Sequence, residues 1–173
     1  MMYYCNKNKL KIAGLIEESI VDGPGIRFVI FTQGCPHNCK GCHNPQTHDF
    51  NFGEYIDIEN LAERINSNPL LKGITLSGGE PFMQCEGLVE LISKINKHLD
   101  VITYTGFTFE EILDMANEEN KFIELLNSTD ILIDGRFEEN KKDENILFRG
   151  SSNQRAINVK LSLENKKIIE YEF

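Results

Sequence analysis

The chain alternates between short apolar runs and longer segments whose apolar residues recur at helical spacing. Residues 27–32, Arg-Phe-Val-Ile-Phe-Thr, are rich in β-branched and aromatic side chains, which is typical of a β-strand. Residues 88–95 carry leucine and isoleucine at intervals that place them on one face of a helix. The same criteria predict strands at 73–76, 100–105 and 131–133, and helices at 58–65 and 110–116.

Strands that alternate with helices of this length indicate βαβ units and a parallel sheet. About four such units are too few for a closed eight-stranded barrel, which typically takes about 250 residues. The chain has 173 residues, so we expect a single α/β domain over residues 1–173, built as an open, partial β/α barrel or a doubly wound sheet. At the end of the chain, residues 158–163 and 167–173 alternate apolar and polar positions, which predicts a terminal β-hairpin.

The chemically unusual residues follow the predicted strands. Three cysteines come after the first of these strands, and residues 77–80, 104–106 and 134–136 come after the next three. Catalytic residues of parallel α/β folds gather at the carboxyl ends of the strands. The pattern therefore predicts one site at that rim of the sheet.

Composition narrows the class of protein. Hydrophobic residues make up 40% and charged residues 26%, which is ordinary for a soluble domain. Residues 1–10 are polar and include two lysines, so we expect no signal peptide, and no apolar run approaches the roughly 20 residues that span a bilayer. We therefore expect a cytoplasmic protein with reduced thiols and no membrane partner. The net charge of −9 disfavours nucleic acid as a partner.

Cys35, Cys39 and Cys42 are spaced C-x3-C-x2-C, and no fourth cysteine follows at a similar distance. Three such thiolates can hold three corners of a cubane iron–sulfur cluster and leave the fourth iron open to another ligand. The isolated Cys5 and Cys85 could each supply a fourth ligand, although an isolated cysteine is most often a small buried apolar side chain. The motif favours an enzyme, because an open iron is a site for chemistry.

A zinc site is the alternative interpretation of the same loop. The three cysteines with the adjacent His37 or His43 could make a Cys3His set. Closed zinc sites usually pair two ligand-bearing turns that lie far apart in sequence, and no second cysteine pair is present.

Residues 78–81, Gly-Gly-Glu-Pro, follow the strand at 73–76. A glycine pair at a strand end is often a tight turn, and Glu80 followed by Pro81 could open a helix. Glycines also let a ligand approach the backbone closely, and a nearby carboxylate would favour a ligand's ammonium group.

Together, the cysteine motif and Gly78-Gly79-Glu80-Pro81 resemble the radical S-adenosylmethionine superfamily. Residues 22–27, Asp-Gly-Pro-Gly-Ile-Arg, and 43–45, His-Asn-Pro, are similar to the activating enzymes of glycyl-radical enzymes. Residues 104–106 and 148–155 resemble those activating enzymes that act on anaerobic (class III) ribonucleotide reductases. The resemblance implies a partial barrel of radical S-adenosylmethionine type.

The resemblance implies an oxidoreductase with a [4Fe–4S] cluster on Cys35, Cys39 and Cys42 and S-adenosylmethionine on the open iron. Reductive cleavage of S-adenosylmethionine would give a 5′-deoxyadenosyl radical, which takes a hydrogen atom from a glycine Cα of a large glycyl-radical enzyme. The partners implied are that reductase and a low-potential electron donor of flavodoxin or ferredoxin type. No side chain need act as an acid or base, so we expect no catalytic residue beyond the cluster.

The resemblance further implies residues that contact S-adenosylmethionine. Gly78, Gly79 and Glu80 would hold its ammonium group, Thr103 would reach the ribose, and Arg136 suits the carboxylate. Thr103 could instead be an ordinary strand residue, and Arg136 could pair with a neighbouring carboxylate. The full set of residues predicted to contact S-adenosylmethionine is Gly41, Cys42, His43, Gly78, Gly79, Glu80, Thr103, Asp134 and Arg136.

Many members of the superfamily carry an aromatic residue directly before the third cysteine, where this chain has Gly41. We therefore expect adenine to meet the Gly41 backbone and the His43 ring. Three alternatives stay open at this stage: an activator of a formate-lyase type enzyme, a short radical enzyme of the deazaguanine-forming kind, and a noncatalytic zinc or iron–sulfur binding module. An open barrel favours a peptide loop as substrate, because a closed barrel would bar its entry.

Overall fold

In the computed structural model, which describes residues 8–173, the strands form one mixed sheet. The strands are β1 Lys9–Ser19, β2 Arg27–Thr32, β3 Glu54–Asp57, β4 Gly73–Gly78, β5 Asp100–Tyr104, β6 Ile131–Asp134 and β7 Arg155–Asn158. Their order across the sheet is β3-β1-β2-β4-β5-β6-β7. The pairs β2–β4, β4–β5 and β5–β6 are parallel, whereas the outer strands pair antiparallel.

The helices are α1 Ile58–Ser67, α2 Cys85–Lys94, α3 Phe109–Met115, α4 Phe122–Asn127 and α5 Val159–Asn165, and short 3-10 turns lie at Pro45–Thr47, Pro81–Gln84 and Glu139–Lys141. The larger core cluster lies between these helices and one face of the sheet. A smaller cluster, Ile102, Ile131, Ile133 and Ala156, lies on the other face. Within residues 8–173, β3 and β7 form two separate edges, so the sheet is an open α/β sheet, as predicted.

Local signals explain the elements that border the site. The Asp57 side chain accepts a hydrogen bond from the backbone of Asn60 and so begins α1. Thr108 and Glu111 form a reciprocal capping box at the start of α3. These caps fix where the two helices begin, and the cap at Thr108 thereby limits the loop between β5 and α3 at the rim to residues 105–108.

The predicted terminal hairpin is wrong in its first arm, which is a helix, whereas the second arm pairs antiparallel with β7 through Ile157 and Glu170. Residues 159–165 form α5, whose first turn is capped by Asn158 through a 3.0 Å hydrogen bond from the backbone of Leu161. Val159 and Ser162 are buried and Leu163 packs on the core, which is helical spacing, while Leu161 stays exposed. The apolar residues of this segment are compatible with the two-residue period of a strand and with the 3.6-residue period of a helix. Packing against the sheet selected the helix.

Arg27, the first residue of β2, connects this strand to its neighbours. Its fully buried guanidinium pairs with Asp100 at 2.6 Å and donates to the Thr75 hydroxyl at 2.7 Å. These contacts bind β2 to β4 and β5 near their amino-terminal ends, opposite the rim that carries the cysteines. None of the helices in the part of the chain described here is long and apolar enough to cross a membrane.

Candidate functional site

A cavity of about 110 Å³ lies where β2, β4, β5 and β6 end. We call it the cysteine cavity, because Cys35, Cys39 and Cys42 line it together with Gly78, Gly79 and the turns after β5 and β6. A second cavity of about 560 Å³, here called the outer groove, shares Cys42, Ser77, Tyr104, Phe137 and Gln154 with it. The predicted gathering of residues at one rim is thus observed.

The cysteine loop is closed by backbone hydrogen bonds between its two ends. The amide of Gly34 donates to Thr47 at 2.8 Å, and that of Cys35 donates to His48 at 3.1 Å. Gly34 has φ +98°, and a Cβ there would lie 2.4 Å from the Phe50 ring. Only glycine fits this turn, so the loop leaves β2 in one fixed direction.

The thiols of Cys35 and Cys39 are partly buried. Burial raises the pKa of Cys35 to about 12 and also raises the pKa of Cys39. In the metal-free protein these cysteines therefore carry protons, which a metal centre must displace. Among residues 8–173, no group of three or more His, Cys, Asp and Glu side chains is placed to hold a metal ion. Three thiols on one short loop are the donor set of an iron–sulfur cluster.

Gly78 and Gly79 present bare backbone to the cysteine cavity. Gly78 has φ +91°, and a Cβ there would lie 2.6 Å from the Cα of Phe31. A Cβ on Gly79 would lie 2.5 Å from the Gly34 carbonyl oxygen. The end of β4 packs this closely against β2 and the cysteine loop only because both side chains are absent.

Glu80 is fully buried and connects three parts of the site. Its carboxylate lies 2.7 Å from His37 Nε2 and accepts from the Thr105 hydroxyl at 2.9 Å. It also accepts from the amides of Gly106 at 2.9 Å and Phe82 at 3.1 Å. A carboxylate has about four acceptor positions, and these four contacts fill them. In this structure Glu80 therefore ties the cysteine loop to β4 and β5.

Gly41 and His43 lie beside an aromatic residue that the sequence did not single out. Gly41 has φ +73°, and a Cβ there would lie 3.3 Å from the Phe137 ring. The His43 and Phe137 ring centroids are 5.2 Å apart. Phe137 lines both cavities, so an aromatic ring borders the site although the residue before Cys42 is Gly41. Phe137 directly follows residues 134–136, and this position was the signal in the sequence that could have identified it as a site residue.

Five of the nine predicted contact residues are absent from the lining of both cavities: Gly41, Glu80, Thr103, Asp134 and Arg136. Thr103 is fully buried, and its hydroxyl lies 2.8 Å from that of Thr129. Asp134 is also buried and pairs with Arg155 rather than with Arg136. Arg136 is exposed, and its positive charge lowers the pKa of Cys39, although burial of the thiol outweighs this effect.

Of the two isolated cysteines, Cys85 is buried and donates its S–H to the Phe82 carbonyl at 3.2 Å. It does not line the cysteine cavity. Cys5 lies outside the described residues.

Polar groups that the sequence analysis did not assign complete the lining. Tyr104 donates to the Phe148 carbonyl at 2.8 Å, and burial raises the pKa of Tyr104 well above its ordinary value. His48 lines the cysteine cavity and Arg149 the outer groove. Within the described part of the chain, His48 Nε2 and Arg149 Nε are buried without a hydrogen-bond partner.

Comparisons with known proteins agree with this chemistry. Residues 21–157 match a family described as a 4Fe-4S single cluster domain. The chain is 34% identical over 142 residues to the anaerobic ribonucleoside-triphosphate reductase-activating protein of Enterobacteria phage T4, an alignment that covers 78% of this chain and 85% of the phage protein. The protein of that name from Escherichia coli K12 is 33% identical over 144 residues, which cover 78% of this chain and 90% of the relative.

A solved structure gives a more distant likeness. QueE from Escherichia coli aligns with 61% of this chain and 58% of its own chain, at 18% identity and a TM-score of 0.46. That similarity is too low to support an argument about fold or function.

Proposed function

Since this chain belongs to the family of anaerobic ribonucleoside-triphosphate reductase-activating proteins, we propose that it activates such a reductase by generating a glycyl radical in it. The observation that carries the proposal is the match to these relatives over 85% or more of their length. The activity belongs to the radical S-adenosylmethionine class. An iron–sulfur cluster and S-adenosylmethionine are therefore the expected cofactors.

The residues at the rim fit these cofactors. Cys35, Cys39 and Cys42 share one cavity and would hold three irons of a [4Fe–4S] cluster. Gly78 and Gly79 line the same cavity, so their backbone groups would face a ligand bound there. When bound, the cluster and S-adenosylmethionine supply the electron and the radical that removes hydrogen from a glycine Cα.

The protein's own contribution is position and shielding. The contacts of Glu80 with His37, Thr105 and Gly106 would hold the cysteine loop at a fixed distance from β4 and β5. His43 and Phe137 line one side of the outer groove next to Gly41, and adenine would lie on that side. Arg136, exposed near Cys39, would attract the carboxylate of S-adenosylmethionine.

The exposed apolar residues at the outer groove suit a protein substrate. The outer groove is lined by Val21, whose side chain is 73% exposed, and its neighbour Ile20 is 76% exposed. A polypeptide loop could reach the groove over these aliphatic side chains without any change in the sheet. The reductase would supply that loop, and a flavodoxin- or ferredoxin-type donor would supply electrons.

The test is anaerobic reconstitution with iron and sulfide, reduction in the presence of S-adenosylmethionine, and assay of 5′-deoxyadenosine. The anaerobic reductase is then added, and the glycyl radical is measured by electron paramagnetic resonance. Cleavage with a glycyl signal supports the proposal. Cys39→Ala is the matched negative control. A colourless protein that binds zinc tightly and forms no cluster would contradict the proposal. A glycyl radical that forms only on a formate-lyase type enzyme would show that this enzyme, and not the reductase, is the partner.

A further inference from the structure

His48 is a second histidine of the cysteine cavity with a different environment from His37. Both residues line the cavity, but His37 Nε2 is engaged by Glu80 at 2.7 Å. His48 Nε2 is buried and has no hydrogen-bond partner among residues 8–173. A buried polar atom without a partner has lost its hydrogen bonds to water without replacement, so such an atom calls for an explanation.

The backbone of His48 is fixed directly to the cysteine loop. Its amide donates to the Pro45 carbonyl at 3.2 Å, and its carbonyl accepts from the amide of Cys35 at 3.1 Å. The imidazole therefore starts from a backbone position that is locked to the first cysteine of the motif. These contacts fix the backbone of His48, and rotation about the side-chain bonds is the remaining freedom of the ring.

We propose that the Nε2–H group of His48 donates a hydrogen bond to a sulfur atom of the iron–sulfur cluster held by Cys35, Cys39 and Cys42. The inference rests on the proposed function, because that function supplies the cluster. Sulfide and thiolate sulfurs are acceptors, so the bound cluster would satisfy the buried donor. Hydrogen bonds to the sulfurs stabilise the more negative, reduced state and raise the reduction potential. His48 is thus a positioning and tuning residue rather than a ligand of iron.

The experiment is a redox titration of the reconstituted protein followed by the electron paramagnetic resonance signal of the reduced cluster. His48→Leu removes the donor, and His98→Leu is the matched control, since His98 is exposed and lies outside the cavity lining. At the midpoint potential of the unmodified protein, we expect the reduced-to-oxidised ratio in His48→Leu to fall roughly tenfold, which is a shift of about −59 mV for one electron. Iron per chain should not change.

His48→Gln and His48→Asn keep the inference testable if the leucine variant fails to fold. The glutamine amide can place an N–H near the position of Nε2, whereas the shorter asparagine cannot. We expect His48→Gln to keep the original midpoint and His48→Asn to show the lowered one.

Two results would overturn the inference while leaving the proposed function intact. One is a full cluster whose midpoint does not move in any His48 variant. The other is loss of iron in all His48 variants, which would make His48 a ligand. Failure of the unmodified protein to form any cluster would instead overturn the proposed function, and this inference with it.

Discussion

Arg155→Met tests whether Asp134 serves the fold rather than the cofactor. The Arg155 guanidinium contacts Asp134 through Nε at 3.0 Å and through Nη2, and it also makes two hydrogen bonds with Glu110 at 3.0 and 2.7 Å. The Asp134 side chain is 1% exposed, that of Arg155 29% and that of Glu110 55%. The variant would leave one buried carboxylate with the Phe109 amide as its main donor.

The expected loss of stability in Arg155→Met follows from these exposed fractions. Removing one partner of a buried ion pair costs roughly 3–5 kcal/mol. Water reaches part of Arg155, so the lower end applies, and the more exposed Glu110 contributes less than about 1 kcal/mol. We expect the free energy of unfolding to fall by about 3 kcal/mol, which corresponds to roughly 6–12 °C in Tm for a chain of this size.

The effect should depend on pH with a definite sign. The hydrogen bond from Arg155 lowers the pKa of Glu110 from 4.5 to about 2. A depressed carboxyl pKa stabilises the folded state above the unfolded value of 4.5, and that stability is lost as the pH falls towards 2. The difference between the native protein and Arg155→Met should therefore narrow over that interval.

The assay is urea unfolding of the metal-free protein, followed by circular dichroism at pH 7 and at pH 3. Arg136→Met is the control, since Arg136 is exposed and its loss should change stability by less than about 0.5 kcal/mol. The reasoning is refuted if Arg155→Met matches this control at pH 7. It is also refuted if its full deficit persists at pH 3.

Further predictions concern the cysteines, β5 and the glycine pair. Cys39→Ala should abolish the cluster and Cys85→Ala should leave iron content unchanged, by anaerobic iron and sulfide analysis; equal losses would contradict a ligand set confined to the loop. Thr103→Val should cost at most about 1.5 kcal/mol in urea unfolding and leave S-adenosylmethionine affinity unchanged, so a large loss of affinity would restore its role at the ribose. Gly79→Ala should cost about 1–3 kcal/mol and lower iron uptake, because its Cβ would meet a loop carbonyl at 2.5 Å. Gly14→Ala, where a Cβ meets nothing within 4 Å, should have little effect, and equal behaviour of the two variants would refute the steric argument.

The central strands and the cysteine loop could be predicted because their signals are local. Residues 27–32 are a β-branched and aromatic run, and the strand observed is Arg27–Thr32. Parallel strands buried on both faces need apolar residues at nearly every position, so a short window of sequence identifies them. The cysteine spacing likewise belongs to one short loop and indicates a metal centre without any knowledge of the fold. Motifs at successive strand ends then predicted a common rim, because parallel strands end on the same edge.

The side-chain partners were decided by the tertiary structure. Arg155 bridges Asp134 and Glu110, and Glu80 contacts His37, through contacts between residues 21 to 45 positions apart in the chain. Residues 159–165 form α5 instead of a hairpin strand because Val159 and Ser162 are buried in the helical conformation. The periodicity of apolar residues predicts which side chains are buried, but it does not identify the residues that pack on them. The charge of a side chain likewise indicates that it needs a partner, but it does not identify that partner. Those choices depend on the packing of distant segments, which is why His48 could be recognised as part of the site only in the folded chain.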